Sequence, residues 1–304
     1  MNKNSNIYKK LRYLKNLIIF VFNKIRNKED TLDPLEFYDK NIEFNISEYE
    51  GRLGNNIQQI INGIIFARLT ENAFESLPHP LIKTISFNKN DSAKHIKSKF
   101  FYYKYHDFRK DFKIENEYLH REYPVISKNY IYPNLNFVND SPLSSDTLVI
   151  HIRSGDNFGE REFNKKKRDF MIDTNPISYF EQLIKMYKKV IIVTEKDLKN
   201  PIISKLSSSY DIEIQSSSLE NDFNTLLNAQ NLASSGISTF PIAAALCSKN
   251  LKNFYHSNLI NRKHLNPELL KYTDAEVHNI KIKNLKLAKS FSNYESYCEY
   301  LITN

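Results

Sequence analysis

The chain has 304 residues, 41% of them hydrophobic, with 20 Phe and 19 Tyr; that is enough apolar surface for one large domain or two ordinary ones and excludes wholesale disorder. A formal net charge of +8 suits anionic partners: nucleic acid, phosphate-bearing substrates or membrane headgroups. The two cysteines, Cys247 and Cys298, supply neither a metal-binding spacing nor a disulfide framework, which excludes a cysteine-stapled secreted scaffold and fits a reducing cytosol.

The first predicted element is a helix within residues 1–30. Ile7, Leu11, Leu14, Ile18, Val21 and Ile25 recur at three- and four-residue steps and form one apolar face. Lys9, Lys10, Arg12, Lys15, Lys24, Arg26 and Lys28 surround it. The longest apolar run, "LIIFVF" (17–22), is too short to span a bilayer and lacks a small-residue cleavage site. A basic amphipathic helix of this kind reads as lying on an anionic membrane surface, here the inner face of a cytoplasmic membrane; the alternative is a helix packed on the protein's own core.

Residues 31–144 read as a first βα region. A strand, "IEFNISEYE", runs through the glycine turn "GRLGNN" (51–56) into a helix, "IQQIINGIIFARLT". Beyond Phe74 the stretch "KSKFFYYKYHDFRKDF" interleaves basic and aromatic residues. It forms no recognisable nucleic-acid module, so nucleic acid is not an expected partner. "NDSPLSSD" (139–146) has the composition of a linker.

Residues 145–304 read more clearly. "TLVIHIR", "KVIIVT", "YDIEI", "NLASS" and "NFYH" are predicted strands, separated by the helices "NPISYFEQLIKMYKK", "NPIISKLSSS", "NDFNTLLNAQ" and "STFPIAAALCSK". Two of the helices open with Asn-Pro, a start signal, because proline suits the first helical turn. The alternation predicts βαβ units and a mostly parallel sheet, hence an α/β protein.

The chain lacks the P-loop, the dinucleotide GxGxxG, the zincin HExxH and the GxSxG elbow, and no two aspartates are spaced D-x-D. A metal site is therefore not expected, and phosphates would be met by Arg, Lys and backbone N–H groups. Three stretches are candidates. In "VIHIRSGD" (149–156), His151 and Arg153 share one face at the end of a strand, while Ile150 and Ile152 point into packing. Ligands in open α/β sheets bind at the carboxyl ends of strands. Arg153 there meets either a diphosphate, bidentately, or Asp156 across the turn. In "NLASSGISTFPIAAAL" (231–246) a strand and Ser/Gly turn lead into a helix opened by Ser238 and Thr239, which is either an anion site or ordinary capping. "GRLGNN" either brings backbone close to a ligand or is a tight turn only.

The order "GRLGNN", "HIRSGD", "GISTFPIA" resembles that of the fucosyltransferase-like superfamily of glycosyltransferases, nearest to the bacterial and animal α-1,2-fucosyltransferases, whose counterparts look like "GGLGNQ", "HVRRGD" and "NSTFSWW". The resemblance implies a GT-B fold, with an N-terminal acceptor-side Rossmann-like domain (31–144) facing a C-terminal nucleotide-sugar-binding one (145–304) across a cleft. It also implies inverting, metal-independent transfer without a cofactor. The co-substrate would be a nucleotide-sugar, GDP-fucose first, and the acceptor a bacterial surface glycan such as lipooligosaccharide, O-antigen or capsule. By matching positions, Arg153 holds the donor diphosphate, His151 lies near the nucleoside, and Ser238, Thr239 and Phe240 face the phosphates. Asp222 reads the guanine, and the turn brings Gly51, Arg52, Gly54 and Asn55 to the donor. Glu160 and Glu162 are candidates for the base, ahead of Asp156, which braces the turn. The pattern departs from the family at Ser154, in place of a second arginine, and at Pro241-Ile242, in place of an aromatic pair. Another nucleotide-sugar donor on the same fold, and a non-catalytic nucleotide- or glycan-binding relative, are the alternatives.

Docking by the N-terminal helix is testable. Each Lys or Arg near anionic lipid contributes about 1 kcal/mol, so binding should be reversible and strongly weakened by salt. A chain lacking residues 1–28 is expected to stay folded and to stop sedimenting with phosphatidylglycerol vesicles. Vesicle binding that survives the deletion, or loss of folding, places this helix in the core.

Overall fold

Two sheets dominated by parallel pairing organise the chain. The structure, a computed structural model, describes residues 41–89, 94–98, 105–168, 173–236, 238–260 and 264–304; the amphipathic helix expected within residues 1–30 lies outside them. Residues Asp39–Asn304, with both sheets, form one compact unit.

The first sheet has four strands in the order β3–β2–β1–β4: β1 (Ile42–Ile46), β2 (Ala73–Glu75), β3 (Ser86–Phe87) and β4 (Lys94–Ser98). β1 pairs in parallel with both β2 and β4, and only β3 runs antiparallel. Between β1 and β2 runs α1 (Leu53–Leu69), apolar on nearly every side and buried along most of its length, as a helix covered on all faces must be. Several of its polar side chains are tied to neighbouring elements. Tyr123 donates to Asn62 Oδ1 at 2.5 Å. Gln59 accepts from the Glu50 N–H at 2.8 Å and donates to the Glu48 carbonyl at 3.1 Å, and Asn56 donates to the Glu50 carbonyl at 3.1 Å. The chain entering α1 is thereby tied back onto its own helix, which fixes the "GRLGNN" turn. Tyr123 belongs to α3 (Asn116–Ile126), which follows α2 (Tyr105–Asp111).

The second sheet has six strands, all paired in parallel, in the order β10–β9–β8–β5–β6–β7: β5 (Thr147–His151), β6 (Lys189–Val193), β7 (Glu213–Gln215), β8 (Asn231–Ser234), β9 (Asn253–Ser257) and β10 (Glu276–Ile280). The helices are α4 (Glu160–Arg168), α5 (Ile177–Ile184), α6 (Pro201–Ser209), α7 (Leu219–Leu227), α8 (Thr239–Cys247) and α9 (Tyr294–Thr303). Leu148, Ile150 and Ile152 enter a core with Tyr179, Phe180 and Leu183 of α5, Ile202 and Leu206 of α6, and Tyr297 and Leu301 of α9. The alternate residues of β5 face the side on which Phe223 of α7 and Phe240 of α8 pack. Strand order runs from β5 to β6 and β7 on one side, then returns to β8 and β9 on the other. The C-terminal ends of β5 and β8 therefore flank a topological switch point, where open sheets of this kind form a crevice.

All the strands expected in this half are present, with "YDIEI" contributing only from Glu213, because Tyr210 instead caps α6 and donates its hydroxyl to Glu181. The Asn-Pro signal acts as expected at α6, where Asn200 Oδ1 accepts from the Ile202 N–H and Pro201 opens the helix. Helix α5 ends at Ile184, short of the "KMYKK" run. The segment 139–146 is pinned by side-chain amides: Asn228 donates to the Asn139 carbonyl, Gln230 to that of Leu143 and Asn231 to that of Ser145. Among the described residues no helix is long and apolar enough to cross a membrane.

Gly63 shows how tightly α1 lies on its sheet. A Cβ there would sit 2.2 Å from a ring carbon of Phe74, a fully buried side chain of β2. Gly63→Ala is expected to destabilise the protein by about 1–3 kcal/mol, although alanine is the better helix former by about 1 kcal/mol. Urea midpoints of the two proteins check this, and a raised midpoint would show the contact to be yielding.

Candidate active site

A cleft of about 990 Å³ lies across the carboxyl ends of the second sheet. In strand order, its floor runs from His256 at the end of β9, past Ser234 and Gly236 after β8 and His151 and Arg153 after β5, to Val193–Lys196 after β6 and Ser216–Ser217 after β7. Five parallel strands make that floor roughly 19 Å wide. From the first half come the turn 51–56 and His79, Pro80 and Leu81.

The two halves meet at the heads of two helices. Gly54, in the first turn of α1, lies so close to the first residue of α8 that a Cβ would be 2.8 Å from the Thr239 carbonyl carbon. Thr239 Oγ1 donates to Asn55 Oδ1 at 2.9 Å. The unpaired N–H groups of α1 and α8 thus converge, each end carrying about half a positive charge. Ser238 occupies the N-cap of α8, yet its side chain makes no capping hydrogen bond, and Arg52 at the N-cap of α1 makes none either. Ordinary capping, the alternative weighed for the Ser-Thr pair, is not what these side chains do. Gly51 adopts φ +76°, which its lack of a side chain permits, and a Cβ there would strike the Asn55 amide at 2.2 Å.

The β5 end is held by the loop that follows β6, a contribution the sequence reading missed. Glu195 accepts from the Ser154 N–H at 2.6 Å and from Arg52 Nη1 at 3.0 Å. Asp197 Oδ1 accepts from Ser154 Oγ at 2.8 Å and the Gly155 N–H at 2.9 Å. Asn200 donates from its side chain to the Arg153 carbonyl at 3.0 Å and from its backbone to Ser154 Oγ at 3.0 Å. On the other flank, Ser235 Oγ accepts from the Arg153 N–H at 3.4 Å. Ser154 is fully buried at the centre of this network. The signal available in the sequence was a run of Glu, Asp and Asn directly after a strand, which otherwise reads as a solvated turn.

His151 is 5% exposed and packs against Phe240 with ring centroids 5.3 Å apart. Burial pushes its pKa down to about 4; Arg153 and Arg52 lower it further and Glu195 opposes the fall. Its Nδ1, with Thr194 Oγ1 and Ser216 Oγ, has no hydrogen-bond partner among the described residues, and all three side chains line the cleft. Asp222 also lines it, with Oδ1 accepting from Gln215 Nε2 at 2.9 Å and the Ser217 N–H at 3.2 Å. At the other end, His256 donates Nδ1–H to the Ser257 carbonyl at 2.7 Å, and burial lowers its pKa, so the neutral ring presents an unprotonated Nε2.

The cleft therefore gathers Gly51, Arg52, Gly54, Asn55, His151, Arg153, Asp222, Ser238, Thr239 and Phe240. It does not gather the expected bases. Glu160 is exposed at the head of α4, and Glu162 lies 4.0 Å from Arg161; neither lines the cleft. The reason is Phe163, buried against Tyr294 and Tyr297, which anchors α4 on α9. The side chain of Asp156 lies outside the described ones. Among the described residues, the carboxylates in the lining are Glu195 and Asp222, and no group of three or more His, Cys, Asp or Glu side chains is placed to hold a metal ion.

No protein-family model and no curated protein matches the sequence. Among solved structures, the chain is similar to POFUT1 in complex with GDP, at 11% identity and a TM-score of 0.37 over 71% of this chain and 98% of that one. It is likewise similar to POFUT1 in complex with GDP-fucose, at 12% identity and a TM-score of 0.40 over 72% and 99%. Scores this low leave the functional reading to the geometry of the cleft.

The buried neutral histidine carries a pH signature. The unfolded chain protonates His151 near pH 6.5 and the folded one only near 4, so the unfolded state binds more protons in that window. Stability should fall as pH drops from about 6.5 toward 4 and level off below, with His151 contributing on the order of 3 kcal/mol. Urea titrations across this range should show a shallower slope for His151→Gln than for the native chain. Coincident slopes would mean that His151 is not held neutral.

Proposed function

We propose that this cleft binds the diphosphate of a nucleotide-sugar and that the protein is an inverting, metal-independent glycosyltransferase of the GT-B type, with GDP-fucose the first donor to test and a bacterial surface glycan as acceptor. The observation that carries the reading is the convergence of the α1 and α8 heads in a cleft also lined by Arg52 and Arg153. Two helix N-termini and two guanidinium groups lining one crevice favour an anion there, and a diphosphate matches both the charge and the bidentate geometry of arginine.

In this reading the donor lies along the strand order. The diphosphate sits before the switch point between β5 and β8. The nucleoside lies toward β6 and β7, where Thr194, Ser216 and Asp222 offer polar atoms for a base and ribose. The sugar and acceptor lie toward β9, among His256, Leu259 and His264. There the unprotonated Nε2 of His256 is a hydrogen-bond acceptor for the attacking hydroxyl, and it lines the cleft where Glu160 and Glu162 do not. A second reading, a nucleotide-binding relative without turnover, is favoured by one observation: Glu195 and Asp222 both already accept hydrogen bonds within the protein.

Calorimetric titration with GDP, UDP and CMP tests the site. Arg153→Ala is expected to weaken binding of the preferred nucleotide about 10- to 100-fold while leaving the fold intact, since the backbone bonds of residue 153 survive the change. Arg153→Lys should restore little of the loss, because a point charge does not reproduce the guanidinium fork. Unfolding of Arg153→Ala with unchanged affinity in its folded fraction would show that the arginine is structural.

A further inference from the structure

Glu195 belongs to none of the three stretches that drew attention in the sequence, yet it touches two of them. Its Oε1 accepts from Arg52 at the head of α1, 143 residues away in the chain, and its Oε2 accepts from the Ser154 N–H directly after Arg153. The Arg52 side chain is 57% exposed and that of Glu195 is 28% exposed. An exposed arginine samples many rotamers, and ordering it on a ligand costs up to about 2 kcal/mol of side-chain entropy. A carboxylate already anchored by a backbone amide removes much of that search.

We propose that Glu195 is the positioning residue of the phosphate site: it holds Arg52 over the α1 head and fixes the Ser154 backbone, and with it the direction in which Arg153 leaves β5. The proposal rests on the diphosphate reading given above. It differs in sign from the other task a carboxylate has in an anion site, that of a stand-in which the ligand must expel. Removing a positioning residue weakens phosphate binding, whereas removing a stand-in strengthens it.

The experiment is calorimetric titration of GDP into the full chain and its Arg52→Ala, Glu195→Ala, Glu195→Gln and Arg52→Ala/Glu195→Ala variants, each checked by thermal unfolding. Glu195→Ala should weaken GDP binding about 10-fold, and Arg52→Ala should add little to that loss in the Glu195→Ala background, because the two act as one unit. Glu195→Gln should fall between, since its amide oxygen still accepts from Ser154 but its charge on Arg52 is gone; it also carries the comparison if Glu195→Ala fails to fold. Unchanged or tighter GDP binding in both Glu195 variants overturns the proposal, as do losses that simply add. Failure of the native chain to bind GDP overturns the diphosphate reading itself, and the role of Glu195 with it.

Discussion

The approach of Gly54 to Thr239 is the contact on which the cleft depends. A side chain at position 54 would hold the two helix heads apart, and the Asn55–Thr239 hydrogen bond would go with the contact. Bringing two positive helix ends together is electrostatically unfavourable, and hydrophobic packing of the buried α1 and α8 supplies what opposes it. The cost is concentrated where the chain already places Arg52 and Arg153. The fold thus gathers positive potential at the cleft, and the carboxylate of Glu195 meets part of it at Arg52.

Around that contact the protein spends hydrogen bonds on backbone geometry rather than on side-chain pairs. Asp197, Asn200 and Ser235 hold residues 153–155 from both flanks, and Gln59 and Asn56 hold the entry to α1. Loops pinned in this way behave as extensions of the strands that precede them. Preorganisation of this sort is what lets a small number of charged groups act on a ligand without first being ordered by it.

Much of this was legible locally. A strand's period of two put His151 and Arg153 on one face and Ile150 and Ile152 in the core, and the glycine turns and helix starts marked the other two stretches. The contacts that complete the site were not legible, because nothing in "TEKDLKN" reveals that its carboxylates turn inward; that depends on β6 lying beside β5 and on α1 lying opposite. The expected bases lie outside the cleft lining for a related reason. Glu160 and Glu162 stand at the right distance along the chain, but the burial of Phe163 decides which way their helix faces, and its partners Tyr294 and Tyr297 lie more than a hundred residues downstream. β10 went unread because its residues are largely exposed, so no apolar run or clean alternation marks it.

The bonds that close the cleft have a temporal consequence. Asn55 and Thr239 are separated by 184 residues and Arg52 and Glu195 by 143, while each sheet is built from far more local pairings. Closing such long loops is slow and comes after the local elements have formed. During synthesis, the turn that carries Asn55 leaves the ribosome long before α8 exists to meet it. The completed cleft is accordingly a late-appearing feature, present only in chains whose second sheet is finished, and anything that recognises it selects finished molecules rather than templating the earlier steps.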